Sequence, residues 1–233
     1  MWGFNEYTPI SVKRAKAEKE IAKHRKKNPN LAPVIIEGRK IAKTWWGMAW
    51  TGKLESYADY SNRIGRGRAY VKNGMVIDLQ IDEGVVKAAV MGSRSPYNVK
   101  ISINPLDAKK WAELAVKCGQ RIDSLHALIE GRFPKELEEI FKGSELFPGP
   151  KEIKFSCSCP DWAYMCKHVA AVLYAIGARF DVDPTLFFKL RGVGFEALLK
   201  KSIDEKMQTM LNNANKKSPR VIDDADLGEL FGI

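Results

Sequence analysis

The sequence contains no uninterrupted apolar stretch of membrane-spanning length, and its first residues lack the apolar core of a secretory signal. A cytoplasmic protein with no membrane partner is therefore expected. Cysteine and histidine are scarce, at four and three among 233 residues. Scarce cysteines in a reducing compartment argue against a disulfide framework. The Gly-Lys-Ser/Thr ending of a nucleotide loop, the zincin helix and the nucleophile elbow are all missing, so none of the enzyme classes they define is indicated. No internal repeat is present. Acidic residues are in deficit, 28 against 38 Lys and Arg, which leaves a net charge of +10 and favours polyanions as partners.

The scarce residues are concentrated. Three of the four cysteines and one histidine fall within residues 157–168, as Cys157-Ser158-Cys159 and Cys166-Lys167-His168. An extended C-x-C sends both thiols to one side of the chain, because side chains alternate along a strand. The second pair closes the set from the far end of a short loop. Three thiolates and an imidazole complete a tetrahedral zinc shell with no place left for water, so a structural ion is expected. A redox pair and simply buried cysteines are the alternatives, and neither requires the histidine or the paired spacing. Zinc is preferred to an iron–sulfur cluster because a histidine takes the fourth place. Pro160 and Asp161 mark a turn, Trp162 and Tyr164 are expected to cover the site, and the apolar run Val169–Ile176 reads as a buried helix that stops at Gly177. A hairpin carrying Cys157 and Cys159, then a helix carrying His168, would be joined by the metal. Folding of residues 151–180 is expected to depend on it.

This C-x-C-x6-C-x-H pattern with its following apolar helix resembles the SWIM zinc finger family. The resemblance extends to Thr44-Trp45-Trp46-Gly47, Gly65–Tyr70, Gly92–Tyr97 and the stretch from Asp183-Pro184 to Arg191-Gly192, which are similar to stand-alone prokaryotic SWIM proteins. It implies one structural Zn2+ on Cys157, Cys159, Cys166 and His168 in a ββα unit. It also implies binding of DNA or protein alongside Swi/Snf-type helicases, transposases or recombination factors, without one defined reaction.

The positive charge is uneven. Residues 1–70 hold 15 Lys and Arg against 6 Asp and Glu, whereas the rest is nearly balanced at 23 against 22. A basic first third suggests nucleic acid, DNA foremost. Candidate contacts are Lys23, Arg25, Lys26 and Lys27 at the end of a basic helix over 11–27, and Lys167 between two metal ligands. Arg63, Arg66 and Arg68 join them in a glycine-interrupted run, where a flexible loop would let the backbone approach phosphates. Arg94, Tyr97 and Lys100 would extend that face if the fold brings them near. The plain alternatives are a solvated basic helix and a tight entry to the sheet. Trp46 and Trp50, spaced i, i+4, read as core rather than as base-stacking platforms.

The expected fold class is α+β: a four-stranded antiparallel meander packed with helices, a small ββα zinc-finger unit and C-terminal helices. The strands are Arg68–Lys72, Met75–Ile81, Val85–Met91 and Tyr97–Ile103, the first two joined by Asn73-Gly74. Val34–Ile36 reads as a further short strand. Helical periodicity covers 40–58, 106–118, 120–130, 134–141, 184–189 and 194–210. The expected organisation is a basic helical segment (1–44), an α+β core (45–147), the zinc finger (148–180), C-terminal helices (181–217) and an acidic, apolar tail (218–233). That tail reads either as a docking segment for a protein partner or as a segment that folds back on this chain.

Overall fold

A computed structural model describes residues 8–58, 61–119, 133, 135–143 and 145–214. The expectations for a helix over 120–130, for packing of the first residues and for the tail at 218–233 lie largely or wholly outside them.

The fold is α+β, with eight helices and a four-stranded antiparallel sheet among the described residues. Alternating apolar residues define β1 (Val76–Asp82), β2 (Val85–Met91) and β3 (Pro96–Ile103), and β4 (Ile153–Cys157) completes the order β1-β2-β3-β4. Ile77, Leu79, Val86, Ala88, Val90, Val99, Ile101 and Ile153 are buried on one face. The β1–β2 turn uses Gly84 at φ 66°, a conformation that favours glycine.

Two strand assignments differ from expectation. Residues 68–72 are helical, as the last part of α3 (Ser61–Lys72). Asn73-Gly74 ends that helix instead of turning a hairpin. The Gly74 N–H donates to Val71 O and the Met75 N–H to Tyr70 O, with Gly74 at φ 67°. This paired closure needs the same left-handed glycine that a hairpin turn would, so the dipeptide signals either structure. The fourth strand is β4, about fifty residues further on, and its ladder pairs Val99 with Cys157 and Ile103 with Ile153. The metal-bearing segment therefore supplies one strand to the main sheet and forms no hairpin of its own; its strand partner is β3. Val34–Ile36 is not a strand, although the Val34 N–H donates to Val76 O and Ala32 O accepts from Leu79, so this stretch runs beside β1.

The remaining helices are α1 (Ile10–Arg25), α2 (Trp45–Glu55), α4 (Ala108–Gly119), α5 (Glu136–Lys142), α6 (Lys167–Val182), α7 (Thr185–Leu190) and α8 (Phe195–Ala214). Helix α6 is the hub. It is buried at every position from His168 to Gly177, and it packs on α2, α3 and all four strands. It passes through Gly177 rather than stopping there, because α2 crosses at that point. A Cβ on Gly177 would meet Thr51 Cγ2 at 2.7 Å and Gly47 O at 3.1 Å. Trp46 and Trp50 are core residues, donating to Phe180 O and Leu173 O. Asp181 near the end of α6 accepts from the Lys43 and Thr44 N–H groups just ahead of α2, whose N-cap is the Thr44 hydroxyl accepting from the Gly47 N–H. In α1 only Ala17 is fully buried, whereas Ala15 and Ala22 are exposed. One hydrophobic core joins Val34, Trp50, Ile101, Cys166, Val172 and Leu198, and so runs through the segments expected as separate.

Candidate metal centre and its basic surround

The sheet fixes one half of the centre. Cys157 ends β4, and pairing continues one residue past it: the Ser158 N–H donates to Asn98 O, and the Asn98 N–H to Ser158 Oγ. Asp161 holds the loop that follows, accepting from the Ala163 N–H and from Arg63 at 3.1 Å. Helix α6 fixes the other half. Cys166 is its N-cap and His168 lies in its first turn.

The ligand atoms of Cys157, Cys159, Cys166 and His168 all lie within 4.8 Å of one another. The Nδ1 of His168 is 3.8 Å from Cys157 Sγ and 3.9 Å from Cys166 Sγ. A tetrahedral zinc ion with ordinary Zn–S and Zn–N bonds requires ligand separations of about 3.5–3.8 Å, so the donor set fits with little adjustment. Donation from the Cys157 thiol pulls the Cys166 thiol down to about 4 despite its burial, with His168 adding to the pull, and pushes Cys157 up. His168 is buried, and its Nε2 has no hydrogen-bond partner among the described residues. Its ring sits against Tyr97 (centroids 4.7 Å apart) and Tyr70 (5.5 Å). Tyr164 packs on Phe155 and donates to Ile153 O, bracing β4. Trp162 does not cover the site, being 80% exposed.

The arginine-glycine run is not a loop. It forms α3, so its backbone N–H groups are largely committed to the helix and cannot cradle a phosphate. Arg63 pairs with Asp161, and Arg68 with Glu55 and the Tyr174 hydroxyl. Arg66 is exposed. Lys23, Arg25, Lys26 and Lys27 lie at the far end of α1, about 10–16 Å along the helix axis from Lys16, and Lys23 pairs with Glu20.

Another set of cations surrounds the metal site. A cavity of about 670 Å³ beside Cys159 and His168 is lined by Lys16, Arg94 and Lys167, together with Ser93 and Tyr97. The Lys16 ammonium donates to Ser93 O. Lys167 and Lys13 both sit over the Tyr70 ring, at 5.8 and 5.9 Å. Of the candidate contacts Lys167 lines this cavity; Arg94 and Tyr97 also line it, but without Arg63, Arg66 or Arg68, whose face they were expected to extend, and Lys100 lines a different cavity. Lys13 and Lys16 were missed. Their one signal is placement beside Ala17, on the side of α1 that meets the sheet.

This arrangement defines a Cys3His metal-finger protein whose finger is built into the main sheet. Residues 149–177 match the SWIM zinc finger family, and the chain carries a SWIM zinc finger with its zinc-binding residues in place. The chain is also 39% identical over 163 residues to a Mycobacterium tuberculosis protein named Uncharacterized protein Rv2102. That match covers 68% of this chain and 58% of the relative, so the chain spans less than two thirds of the relative's length. No solved structure matches. No helix among the described residues is long and apolar enough to cross a membrane.

Proposed function

We propose that the protein is a non-catalytic nucleic-acid-binding factor, with DNA its first ligand, in which one structural zinc ion braces the binding surface. The observation that carries this reading is the convergence of Lys16, Arg94 and Lys167, from three separate elements, on one cavity at the metal site. None of the three has an ion pair with a described carboxylate, and the carboxylate in the lining, Asp161, is committed to Arg63. Unpaired cations around a concave surface attract phosphates. Lys167 opens α6, so the helix dipole adds to the attraction. The metal's part is to hold β4, the intervening loop and α6 in one geometry. Four protein ligands would leave it no open position for a substrate, which supports the non-catalytic reading.

The test is fluorescence anisotropy with a labelled oligonucleotide over a salt series. Binding at low salt that weakens steeply with added salt is expected, and Arg94→Ala with Lys167→Ala should lower affinity while zinc content stays unchanged. Absence of any polyanion affinity at low salt would overturn the proposal, and so would unchanged affinity in the double variant.

One observation favours a second reading, that of an adaptor for a Swi/Snf-type helicase or a recombination factor. Ile203, Met207, Met210 and Leu211 form an exposed apolar stripe on α8 at helical spacing. Nuclease-treated binding to a purified candidate helicase, lost in Met207→Glu with Met210→Glu, would support it.

A further inference from the structure

The face of the sheet turned away from the core carries a second basic surface. Alternation sends Gln80, Lys87, Lys100 and Ser156 outward, and the register aligns them in one row across all four strands. Gln80 stands opposite Lys87, Lys87 opposite Lys100, and Lys100 opposite Ser156. Lys154 is exposed on the same face, opposite Ser102 and so diagonal to Lys100. Like charges directly opposite on paired strands repel and destabilise a sheet. Neither Lys87 nor Lys100 has an ion pair with a described carboxylate. Two carboxylates share this face and both are engaged: Asp78, in the cavity lining, accepts from the Ala32 N–H and the Gln80 amide, and Asp82, diagonal to Lys87, pairs with Lys189. A shallow cavity of about 490 Å³ lies over Lys87, Asn98, Lys100, Ser156 and Ser158.

The surface has two further properties. Its outward positions hold no aromatic side chain, since Phe155 and Tyr97 belong to the alternation of the other face. It therefore offers charge and short hydrogen-bonding groups but no stacking platform. It also adjoins the cavity at the metal centre, because Asn98 follows Tyr97 and Ser158 precedes Cys159 at the same end of the sheet. The two surfaces lie on opposite faces of one sheet, so a ligand touching both must turn sharply round its end. Duplex DNA, with a persistence length of about 150 base pairs, resists such a turn. A single strand does not.

We propose that the outer face of the sheet is a phosphate track for single-stranded nucleic acid. The strand passes from the Lys16, Arg94 and Lys167 cavity over Asn98 and Ser158 to Lys87, Lys100 and Lys154. The contacts are to the sugar-phosphate backbone, so base sequence matters little. This inference rests on the nucleic-acid reading above and adds the strandedness, the path and the residues.

The test uses the full zinc-loaded chain and fluorescence anisotropy with a 30-nucleotide oligo-dT and a 30-base-pair duplex at several salt concentrations. The single strand should bind more tightly than the duplex. Lys87→Ala with Lys100→Ala and Lys154→Ala should lower oligo-dT affinity at least tenfold at low salt. It should also reduce the slope of log K against log salt by about 2, at about 0.7 per lost phosphate contact on a single strand. Wild-type binding with the triple variant unchanged in slope and affinity overturns the track and leaves the function reading standing. No wild-type binding overturns both, and a preference for duplex overturns the single-strand assignment. Lys87→Glu separates binding from folding. It turns a repulsive pair with Lys100 into an attractive one, so Tm should hold or rise while affinity falls. A parallel fall in Tm and affinity would make the lysine structural and defeat the proposal.

Discussion

Gly67 of α3 lies so close to Ala170 of α6 that a Cβ placed on the glycine would stand 2.5 Å from the Ala170 methyl and 3.0 Å from the Ala171 backbone nitrogen. Two helices can approach this closely only where one of them lacks a side chain. The contact presses α3 onto the first half of the helix that carries His168. Gly47 and Gly177 do the same for α2 further along, so the metal-bearing helix is gripped from two sides by glycine contacts.

A paired substitution follows from this geometry. Gly67→Ala forces a methyl against the Ala170 methyl and the backbone behind it, and should cost about 1–3 kcal/mol, in the range of core overpacking. Gly65→Ala meets nothing within 4 Å at an exposed position of the same helix. It should stabilise by up to about 1 kcal/mol, because alanine is the better helix former. Chemical denaturation of both variants checks the pair. A loop of functional glycines would show no such opposite signs.

Metal removal should have a local effect. An isolated finger of about thirty residues unfolds without zinc, because it cannot bury enough surface to stand alone. Here β4 is held by its ladder to β3, and α6 is buried among α2, α3 and the sheet. Elemental analysis should find one zinc per chain, lost in Cys159→Ser. Chelation or that variant should then expose residues 158–166 to hydrogen exchange and protease. The ladder and α6 should keep their protection, so the metal-dependent unit is smaller than the 151–180 expected from the sequence. Loss of protection throughout α6 would contradict this.

The metal site was legible in the sequence because ligation is set by local spacing: Cys157, Cys159, Cys166 and His168 span one strand end, one turn and the start of one helix. The strands from β1 to β3 were legible for the same reason, since alternation is a local signal. The arginine-glycine helix was not. Whether Gly67 serves a loop or a helix crossing is decided by Ala170, over a hundred residues away. Asn73-Gly74 meets the needs of a hairpin and of a helix stop alike. The fourth strand was sought before Met75, yet it lies about fifty residues after β3, because pairing across that separation is decided by packing and leaves no local signal. The basic cluster of Lys16, Arg94 and Lys167 is a product of tertiary structure, as its members are ordinary surface cations until three elements meet.

Thiol reactivity should sort the cysteines by environment. Cys118 is fully buried in α4, and burial pushes its thiol up to about 12. At neutral to mildly alkaline pH it remains protonated and inaccessible, and should resist alkylation until the protein unfolds. Cys157, Cys159 and Cys166 should be protected by bound metal and should react once it is chelated. Mass spectrometry after iodoacetamide should find three modified thiols in the chelated native protein and a fourth only in denaturant. Early modification of Cys118 would mean that α4 opens with the metal site.

Arg191 gives the fold a measurable acid sensitivity. Its side chain is 0% exposed and donates to Asn104 O, Glu145 O and Glu152, whose own side chain is 31% exposed. Burial pushes the Glu152 carboxyl up, but the Gly149 N–H and Arg191 outweigh it and hold the group below the usual carboxylate range. A depressed folded-state pKa means that this contribution is complete above the ordinary glutamate value of about 4.3 and is lost as pH falls through the lower folded value. Glu152→Leu leaves Arg191 buried with two carbonyls and no counter-charge. Breaking a buried pair costs about 3–5 kcal/mol, and the partial exposure of Glu152 reduces the expected loss to about 2–4 kcal/mol at neutral pH. Denaturation curves from pH 7 to pH 3 should show the gap between wild type and variant narrowing toward the acid end. A constant gap across that range would show that Glu152 acts through packing and not through its charge.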